Sequence, residues 1–174
     1  TLSKKCLAAQ AEHKKLSCHV LCPFQGYYRL SVFVKDLGGT SFRNTANFLI
    51  RCLGPVNQNE LFPLGLSMHC GSGISSSGCG LSNPSHSDPI ITTKMGKCNI
   101  TFHARADVEV TASLSKDKVT NTEYPLERYV LVTHLKSKVS VCIVLPEPGV
   151  YKVGLFGRNN DHKEFVHICD YIVR

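Results

Sequence analysis

An internal repeat constrains the fold of this 174-residue chain more than any other feature of its sequence. Residues 146–174 recur in degenerate form as residues 23–51, at a constant offset of 123 positions and without a gap. In both copies, apolar and polar residues alternate on each side of a polar turn, a pattern that predicts a β-hairpin. The first six matched pairs are Gly26 with Gly149, Tyr28 with Tyr151, Arg29 with Lys152, Leu30 with Val153, Val32 with Leu155 and Phe33 with Phe156.

The length of this period fits one whole domain per repeat. One period counted back from the last residue begins at Cys52, so we predict a complete unit over residues 52–174, with a Gly/Ser-rich loop at 53–95. Residues 1–51 then form a partial unit that ends in the first hairpin. Because a few strands bury little apolar surface, we expect this partial unit to pack on the complete unit, on another chain or on sequence beyond this one.

Four further segments of alternating sequence predict strands at residues 99–104, 107–114, 129–134 and 139–145. Together with the terminal hairpin they make six or seven strands. The predicted fold is therefore all-β, an immunoglobulin-like β-sandwich with one complete repeat and a partial preceding repeat. The step Gly149-Val150-Tyr151 predicts a tyrosine corner, in which a tyrosine hydroxyl stabilises the loop before a core strand.

Two segments have weaker patterns. Residues 1–16 favour a helix by composition, whereas their alignment with the second copy favours strands. Residues 53–95 lose all periodicity and predict surface loop, including the stretch GSGISSSGCG, with a short strand near residues 64–68.

Several short motifs resemble the repeats of the kyphoscoliosis peptidase family. They are the Pro-x-Pro-Gly-x-Tyr-x-Val-x-Leu-Phe run from Pro146, the terminal Ile-Cys-Asp-Tyr-Ile-Val, and upstream Phe62-Pro63, Gly96, Ile100-Thr101-Phe102 and Val110-Thr111-Ala112-Ser113-Leu114. In that family the repeats follow a transglutaminase-like core, which no part of this chain matches. The resemblance therefore implies no catalytic residues here, and it implies a cytoplasmic, cytoskeleton-associated location.

Positive charge is concentrated in the partial unit, because residues 1–51 carry eight Lys and Arg against two acids. The pairs Lys4-Lys5 and Lys14-Lys15 are candidates for a basic patch that attracts an anionic surface, although a solvated basic face is the simpler interpretation. RNA-binding signatures are absent, and no apolar run reaches the length of a membrane span. We expect neither nucleic acid nor a membrane span.

Nine cysteines are more than a typical cytosolic protein of this size carries, and they favour an extracellular, secreted chain with disulfide bonds. Cys70 and Cys79 flank a loop short enough to be closed by a disulfide. The odd number leaves at least one thiol unpaired, and Cys169 is the candidate for a buried one. Asn99 begins the glycosylation sequon Asn-Ile-Thr, which agrees with secretion.

No arrangement of residues in the sequence predicts catalysis or metal binding. The cluster that most resembles a catalytic site is His167, Cys169 and Asp170. Strand geometry is expected to place His167 and Cys169 on the inward face and Asp170 on the other face. The spacing of Cys18-His19-x-x-Cys22 is the nearest match to a zinc site, but disulfide bonding explains the cysteines with fewer assumptions. We therefore expect no catalytic residue, no metal and no cofactor.

The sequence thus favours a non-catalytic binding or scaffold protein that acts through protein-protein or anionic-surface contacts. The basic strand edges of the partial unit are expected to pair with a protein partner or with a second copy of the chain. The alternatives are a carbohydrate-binding lectin of the β-sandwich type, with its glycan site at the 53–95 loop, and a cysteine-dependent enzyme.

Overall fold

The computed structural model describes residues 5–12, 14–54, 61–118, 122–161 and 163–174. A short helix, α1, spans Ile74–Cys79, and a 3-10 turn spans Leu126–Tyr129. The strands are β1 (Leu7–Glu12), β2 (Lys15–Val20), β3 (Gly26–Val34), β4 (Arg43–Cys52), β5 (Leu81–Ser82), β6 (Ile90–Ile91), β7 (Lys97–Ala104), β8 (Glu109–Ser115), β9 (Val130–Leu135), β10 (Lys138–Val144), β11 (Tyr151–Arg158) and β12 (Val166–Val173).

Strands β5 to β12 form a sandwich of two four-stranded sheets. The first sheet has the order β5-β7-β10-β9 and the second the order β6-β12-β11-β8. Neighbouring strands are antiparallel except β6 and β12, which are parallel. The alternating segments of the sequence coincide with β7 to β10, so the all-β, immunoglobulin-like prediction is confirmed.

The sandwich core lies between the inner faces of the two sheets. Because successive side chains of a strand point to opposite faces, alternation in the sequence delivers one apolar row per strand to this core. Each of the main core side chains is at most 1% exposed: Ile100, Phe102, Val139, Val141, Ile143, Tyr151, Val153, Leu155, Tyr171 and Val173.

A second, smaller apolar cluster joins the β1–β2 hairpin to the outer face of the second sheet. Ala8 packs there with Phe62, Cys70 and Ile172. The Cys70 amide donates to the Ala9 carbonyl at 2.9 Å, and Cys70 itself forms a parallel bridge with Asp170. Of the two interpretations of residues 1–16, strand is the one observed at Leu7–Glu12 and from Lys15 onwards, because pairing and burial outweigh the helical propensity of the composition; residues 1–4 and 13 lie outside the described residues.

The chain divides into two compact units. One contains Thr1–Leu21 with Asn59–Arg174, and the other is Cys22–Gln58, which contains the β3–β4 hairpin. This division differs from the boundary that the sequence repeat suggests between residues 51 and 52. The assignment of residues 1–51 and 52–174 to a partial and a complete repeat stays a prediction.

The repeat is visible strand by strand, because β1 to β4 start at or near the positions that β9 to β12 occupy 123 residues later. Each copy has a register shift at the equivalent step, between Val32 and Phe33 in β3 and between Leu155 and Phe156 in β11. A shift of this kind marks a β-bulge, an extra residue on one strand.

The predicted tyrosine corner is confirmed, and it occurs twice. The Tyr151 hydroxyl donates to the Glu147 carbonyl at 3.0 Å, and the Tyr28 hydroxyl donates to the Phe24 carbonyl at 2.6 Å. In both copies the glycine two residues before the tyrosine has a positive φ, 150° at Gly149 and 141° at Gly26. Residues that carry a side chain rarely adopt this backbone conformation, so both corners require glycine.

The structure corrects two expectations for the 53–95 segment. The expected strand at residues 64–68 is replaced by turns, because carboxylates take up the backbone donors: the Ser67 amide donates to Asp170 at 2.6 Å and the Leu64 amide to Asp117 at 2.8 Å. The stretch GSGISSSGCG, predicted as loop, contains α1. There the Gly73 amide donates to the Ser76 hydroxyl at 2.9 Å, which satisfies a backbone group at the start of the helix.

The two tyrosine corners give a matched test of burial. Tyr151→Phe removes the hydroxyl that donates to the Glu147 carbonyl from a fully buried ring, so we expect it to lower the free energy of unfolding by about 1–2 kcal/mol. Tyr28→Phe, in an exposed corner where water replaces the hydroxyl, is expected to change it by less than about 0.5 kcal/mol. Urea unfolding followed by circular dichroism measures both. Equal losses would contradict the difference in burial.

Candidate interaction surface on the β3–β4 hairpin

The β3–β4 hairpin is a two-stranded sheet with open edges. Its strands pair antiparallel, with Tyr28 opposite Ile50 and Leu30 opposite Phe48. Within the described ranges, β3 and β4 pair with each other and with no further strand. Each strand therefore presents one unpaired row of backbone groups, which can accept a strand from another segment.

One side of this hairpin, here called the apolar hairpin face, matches the core-facing side of β11–β12. The repeat offset equates Tyr28 with Tyr151 and Phe48 with Tyr171. Tyr171 is fully buried, whereas Phe48 is 54% exposed. The hairpin thus carries side chains of the core type on a face that is only partly covered. The members of the face are Tyr28, Leu30, Val32, Ala46, Phe48 and Ile50.

The hairpin is also basic and rich in exposed aromatic rings. Its described residues include four cations and a single acid, Asp36. This carboxylate forms an ion pair with Arg43 at 2.8 Å. The ammonium of Lys35 lies 5.6 Å from the centre of the Phe42 ring, and the guanidinium of Arg51 lies 5.5 Å from that of Tyr27. Such a surface favours partners that carry acidic and apolar groups.

The structure places the lysines of the predicted basic patch in different settings. Lys5 forms an ion pair with Asp117, and Lys15 lies opposite Glu12 in the β1–β2 hairpin. Lys14 is exposed, and Lys4 lies outside the described residues. Because Lys5 and Lys15 each have an acid nearby, little net charge remains around them. The basic patch stays a prediction, and the basic residues of the β3–β4 hairpin are the group that sequence analysis passed over.

The glycosylation candidate, Asn99, lies in β7 and is exposed. Its Oδ1 accepts a hydrogen bond from the Ser140 hydroxyl at 2.7 Å and contacts the Cys142 thiol at 3.6 Å. Both partners belong to β10, the neighbouring strand, so the amide takes part in a cross-strand contact. Its glycosylation stays a prediction.

Cys70 and Cys79, the predicted disulfide pair, are separate buried thiols in the structure. Cys70 belongs to the smaller cluster beneath the β1–β2 hairpin, whereas Cys79 ends α1 and packs in the main sandwich core. The two thiols therefore face different apolar environments, and the structure does not contain the predicted bridge.

The cluster around Asp170 differs from its predicted geometry. Nε2 of His167 lies 2.9 Å from Oδ1 of Asp170, so the two residues share one side of β12, whereas Cys169 is buried in the sandwich core. The prediction that His167 and Cys169 share the inward face is wrong. The bulge between Leu155 and Phe156 is the reason, because the extra residue, Ile168, reverses the alternation.

The buried thiols near Asp170 are poorly suited to nucleophilic chemistry. Burial, together with the charge of Asp170, raises the pKa of Cys70 to about 11. The same two causes raise the pKa of Cys169 further. A cysteine nucleophile must be a thiolate, so both groups remain protonated and unreactive at neutral pH. This geometry lends no support to a cysteine-dependent enzyme.

The 53–95 segment, expected to border any ligand site, contributes to a shallow cavity of about 280 Å³. This volume is at the lower limit of small-molecule sites. No group of three or more His, Cys, Asp or Glu side chains among the described residues is placed to hold a metal ion. The cavity lining is Ser75, Gly78, Cys79, Gly157, Asn159, Val166, His167 and Ile168.

Comparison with known proteins identifies the family to which this fold belongs. The model of the KY-like, immunoglobulin-like domain matches residues 2–63 and 77–174. The chain belongs to this family. Kyphoscoliosis peptidase of Homo sapiens is 26% identical to it over 181 residues, and that of Mus musculus 27%. Each alignment covers 99% of this chain and 27% of the relative, so the chain spans about a quarter of the length of these curated relatives.

The family membership confirms the predicted resemblance and overturns one prediction. The relatives are kyphoscoliosis peptidases, and the resemblance of this chain to them implies a cytoplasmic location. The prediction of an extracellular, secreted chain is therefore wrong. Cysteine content misled because Cys70 and Cys169 serve as small buried apolar residues, which needs no oxidising compartment. No helix within the described ranges is long and apolar enough to cross a bilayer.

Thiol accessibility provides a second testable outcome. Cys18 is exposed, whereas Cys70 and Cys169 are buried and have raised pKa values. We expect a maleimide at neutral pH to modify Cys18 within minutes and to modify Cys70 and Cys169 only after unfolding. Peptide mass spectrometry over a time course measures each site. Rapid modification of Cys70 in the folded chain would contradict its protonated, buried state.

Alkaline pH is expected to destabilise the fold through these thiols. The pKa of Cys70 is about 11 in the folded chain, whereas an unfolded thiol has a pKa of about 8.5. Its contribution to stability is therefore complete below about pH 8.5 and is lost as the pH rises towards 11. The free energy of unfolding, measured with urea at about pH 8 and at about pH 10.5, should fall at the higher pH. This fall should be smaller in Cys70→Ser than in the parent, by about 1–2 kcal/mol. Identical falls in the variant and the parent would contradict this assignment.

Proposed function

We propose that this chain is a non-catalytic binding or scaffold module that uses the β3–β4 hairpin to hold a protein partner. The observation that carries the proposal is the apolar hairpin face, whose counterparts in β11–β12 are buried and whose own Phe48 is half exposed. Large apolar groups grouped on an exposed face mark interaction sites in soluble proteins. Covering such a face with a partner stabilises the complex through the hydrophobic effect.

Charge and chemistry support a protein as the partner. The exposed cations Lys35 and Arg51 lie beside the rings of Phe42 and Tyr27, and aromatic residues and arginine are the types enriched where proteins bind each other. Unpaired strand edges on β3 and β4 add main-chain donors and acceptors, which bind an extended segment by strand addition. Both features belong to one hairpin, so a single partner can use them together.

The proposal that the module is non-catalytic is supported by three features. The immunoglobulin-like fold serves widely as an interaction fold, the chain covers about a quarter of its curated relatives, and the buried thiols near Asp170 are protonated at neutral pH. The name of those relatives assigns a peptidase activity to the whole proteins. For this chain we propose a contact function in place of a catalytic one.

The partner can be tested by cross-linking and quantitative mass spectrometry in tissue extract. A charged side chain on the apolar hairpin face should abolish binding, so Phe48→Asp is expected to reduce the recovery of specific partners by at least about tenfold. Cross-links to those partners should map to Lys35, within the hairpin. Leu135→Asp is the matched control, because Leu135 is 73% exposed and lies in the sandwich. It is expected to leave recovery unchanged.

Two results would contradict the proposed function. Recovery that is equal for the parent, Phe48→Asp and Leu135→Asp would remove the hairpin from the interaction. Cross-links confined to the sandwich would place the contact elsewhere. Phe48 lies outside the sandwich core, so the thermal transition of the sandwich should be unchanged in Phe48→Asp, and this transition checks that the sandwich of the variant is folded.

A further inference from the structure

The turn of the β3–β4 hairpin has an apolar apex. The Gly39 amide donates to the Asp36 carbonyl at 2.8 Å, and between them Gly38 has a φ of 85°, which glycine adopts readily. This tight turn holds Leu37 at the end of the hairpin, where it is fully exposed. Residues 33–43 are here called the hairpin tip. The other large apolar side chains exposed in the tip are Phe33, Val34 and Phe42.

The exposure of the hairpin tip does not depend on a second sheet. Through the repeat offset, the counterpart of the tip is the turn between β11 and β12, in a sandwich whose two sheets are both present. Asn160 takes the position of Leu37 there, and it is exposed, as are Asp161 and residues 163–165. A sandwich of this kind therefore leaves the turn uncovered, and the apolar apex follows from the sequence of the tip itself.

The two turns differ in chemistry at equivalent positions. The turn in the sandwich is polar and acidic, whereas the hairpin tip has an apolar or neutral residue at each of these places. The pairs are Leu37 with Asn160, Gly38 with Asp161 and Ser41 with Glu164. Water solvates the polar turn well, so its exposure costs little. The tip instead exposes apolar surface at the same place, which favours contact with an apolar phase.

Positive charge lies beside the apolar apex. The ammonium of Lys35 is 5.6 Å from the centre of the Phe42 ring. Arg43 and Asp36, the single acid of the tip, offset each other in an exposed ion pair at 2.8 Å, so one net positive charge remains, on Lys35. Apolar side chains next to a cation are complementary to the surface of an anionic bilayer, where the first enter the interface and the second meets the head groups.

We propose that the hairpin tip docks on an anionic lipid bilayer, with Leu37 and Phe42 in the interface and Lys35 at the phosphate groups. A standard protein interface takes about 20–30 residues from each side, roughly twice the eleven of the tip, whereas membrane binding grows with each inserted side chain and each nearby cation. The cytoplasmic location that the family resemblance implies agrees, because the cytoplasmic leaflet is anionic. This inference goes beyond the proposed function, which uses the apolar hairpin face.

A tryptophan at the apex tests the insertion directly, because the chain has no other. In Leu37→Trp, vesicles of phosphatidylcholine and phosphatidylserine should shift the emission to the blue, and brominated acyl chains should quench it. Leu49→Trp is the matched control, because Leu49 is 76% exposed and lies opposite Arg29, about 15 Å before the end of β3. Its emission should stay unchanged. No shift in Leu37→Trp, or equal shifts in both variants, would overturn the inference.

Vesicle sedimentation of the full chain measures each contribution. Leu37→Asn removes the inserted side chain and is expected to lower the partition coefficient at least about fivefold. Lys35→Gln removes the charge and should lower it about fivefold, as should vesicles of phosphatidylcholine alone. Leu49→Asn, the control, should have no effect. Asn160 occupies the counterpart position, so Leu37→Asn suits the turn, and amide hydrogen exchange in β3 checks its folding. An unchanged partition in Leu37→Asn, or equal binding to neutral vesicles, would contradict the docking.

The outcomes separate this inference from the proposed function. If Phe48→Asp abolishes the recovery of protein partners while the parent fails to bind anionic vesicles, the proposed function stands and the membrane contact is wrong. If the parent binds vesicles through Leu37 while Phe48→Asp leaves recovery unchanged, the membrane contact stands and the proposed function is wrong. Loss of protein partners in Leu37→Asn, without vesicle binding by the parent, would assign the tip to a protein and overturn the choice of a bilayer.

Discussion

Covering one face of each sheet is the constraint on which this structure depends. A sheet with aliphatic and aromatic side chains on one side is stable in water only when a second layer covers that side. In the sandwich, Phe102 and Val141 of one sheet and Leu155 and Tyr171 of the other supply those layers, and all are at most 1% exposed. Fully burying such a side chain is worth about 1.5–3 kcal/mol, so the paired sheets stabilise the remaining loops and turns.

The β3–β4 hairpin shows what the same sequence pattern does where the described residues cover its apolar face only in part. Its strands, bulge and tyrosine corner follow those of β11–β12, so local structure is set by residues within the hairpin itself. Burial is different, because covering a face depends on partners far away in sequence. An isolated two-stranded hairpin is marginally stable in water. The unit therefore retains the geometry of a core element together with an apolar face that is only partly covered.

The limits of sequence analysis follow from this separation of local and distant effects. Alternation located β7 to β10, and the Gly-x-Tyr spacing located the tyrosine corner, because both signals are local. The face of β12 on which the His167 side chain lies depends on a bulge. No residue in the sequence of β12 reveals that bulge. Strand β1 forms in place of a helix because Ala8 packs with Phe62 and Cys70, which are distant in sequence. A count of cysteines indicated secretion because it does not distinguish bonded thiols from buried ones.

The candidate surface was predictable in part. The sequence located the excess of positive charge in residues 1–51 and predicted that these residues need a partner. It attached that charge to Lys4-Lys5 and Lys14-Lys15, although Lys5 pairs with Asp117 and Lys15 lies opposite Glu12. Lys35 and Arg51 stand out only once the open hairpin is seen, because their importance comes from neighbouring rings and an empty edge.

The bulge that both repeats share has a historical consequence. An extra residue opposite the equivalent step of β3 and β11, in β4 and β12, is explained by one insertion in an ancestral unit that was later duplicated, whereas separate origins require the same event twice at one position. The irregularity is then older than the duplication. It has persisted in two settings, one fully packed and one largely open, so what preserves it acts within the hairpin and is independent of the surrounding core.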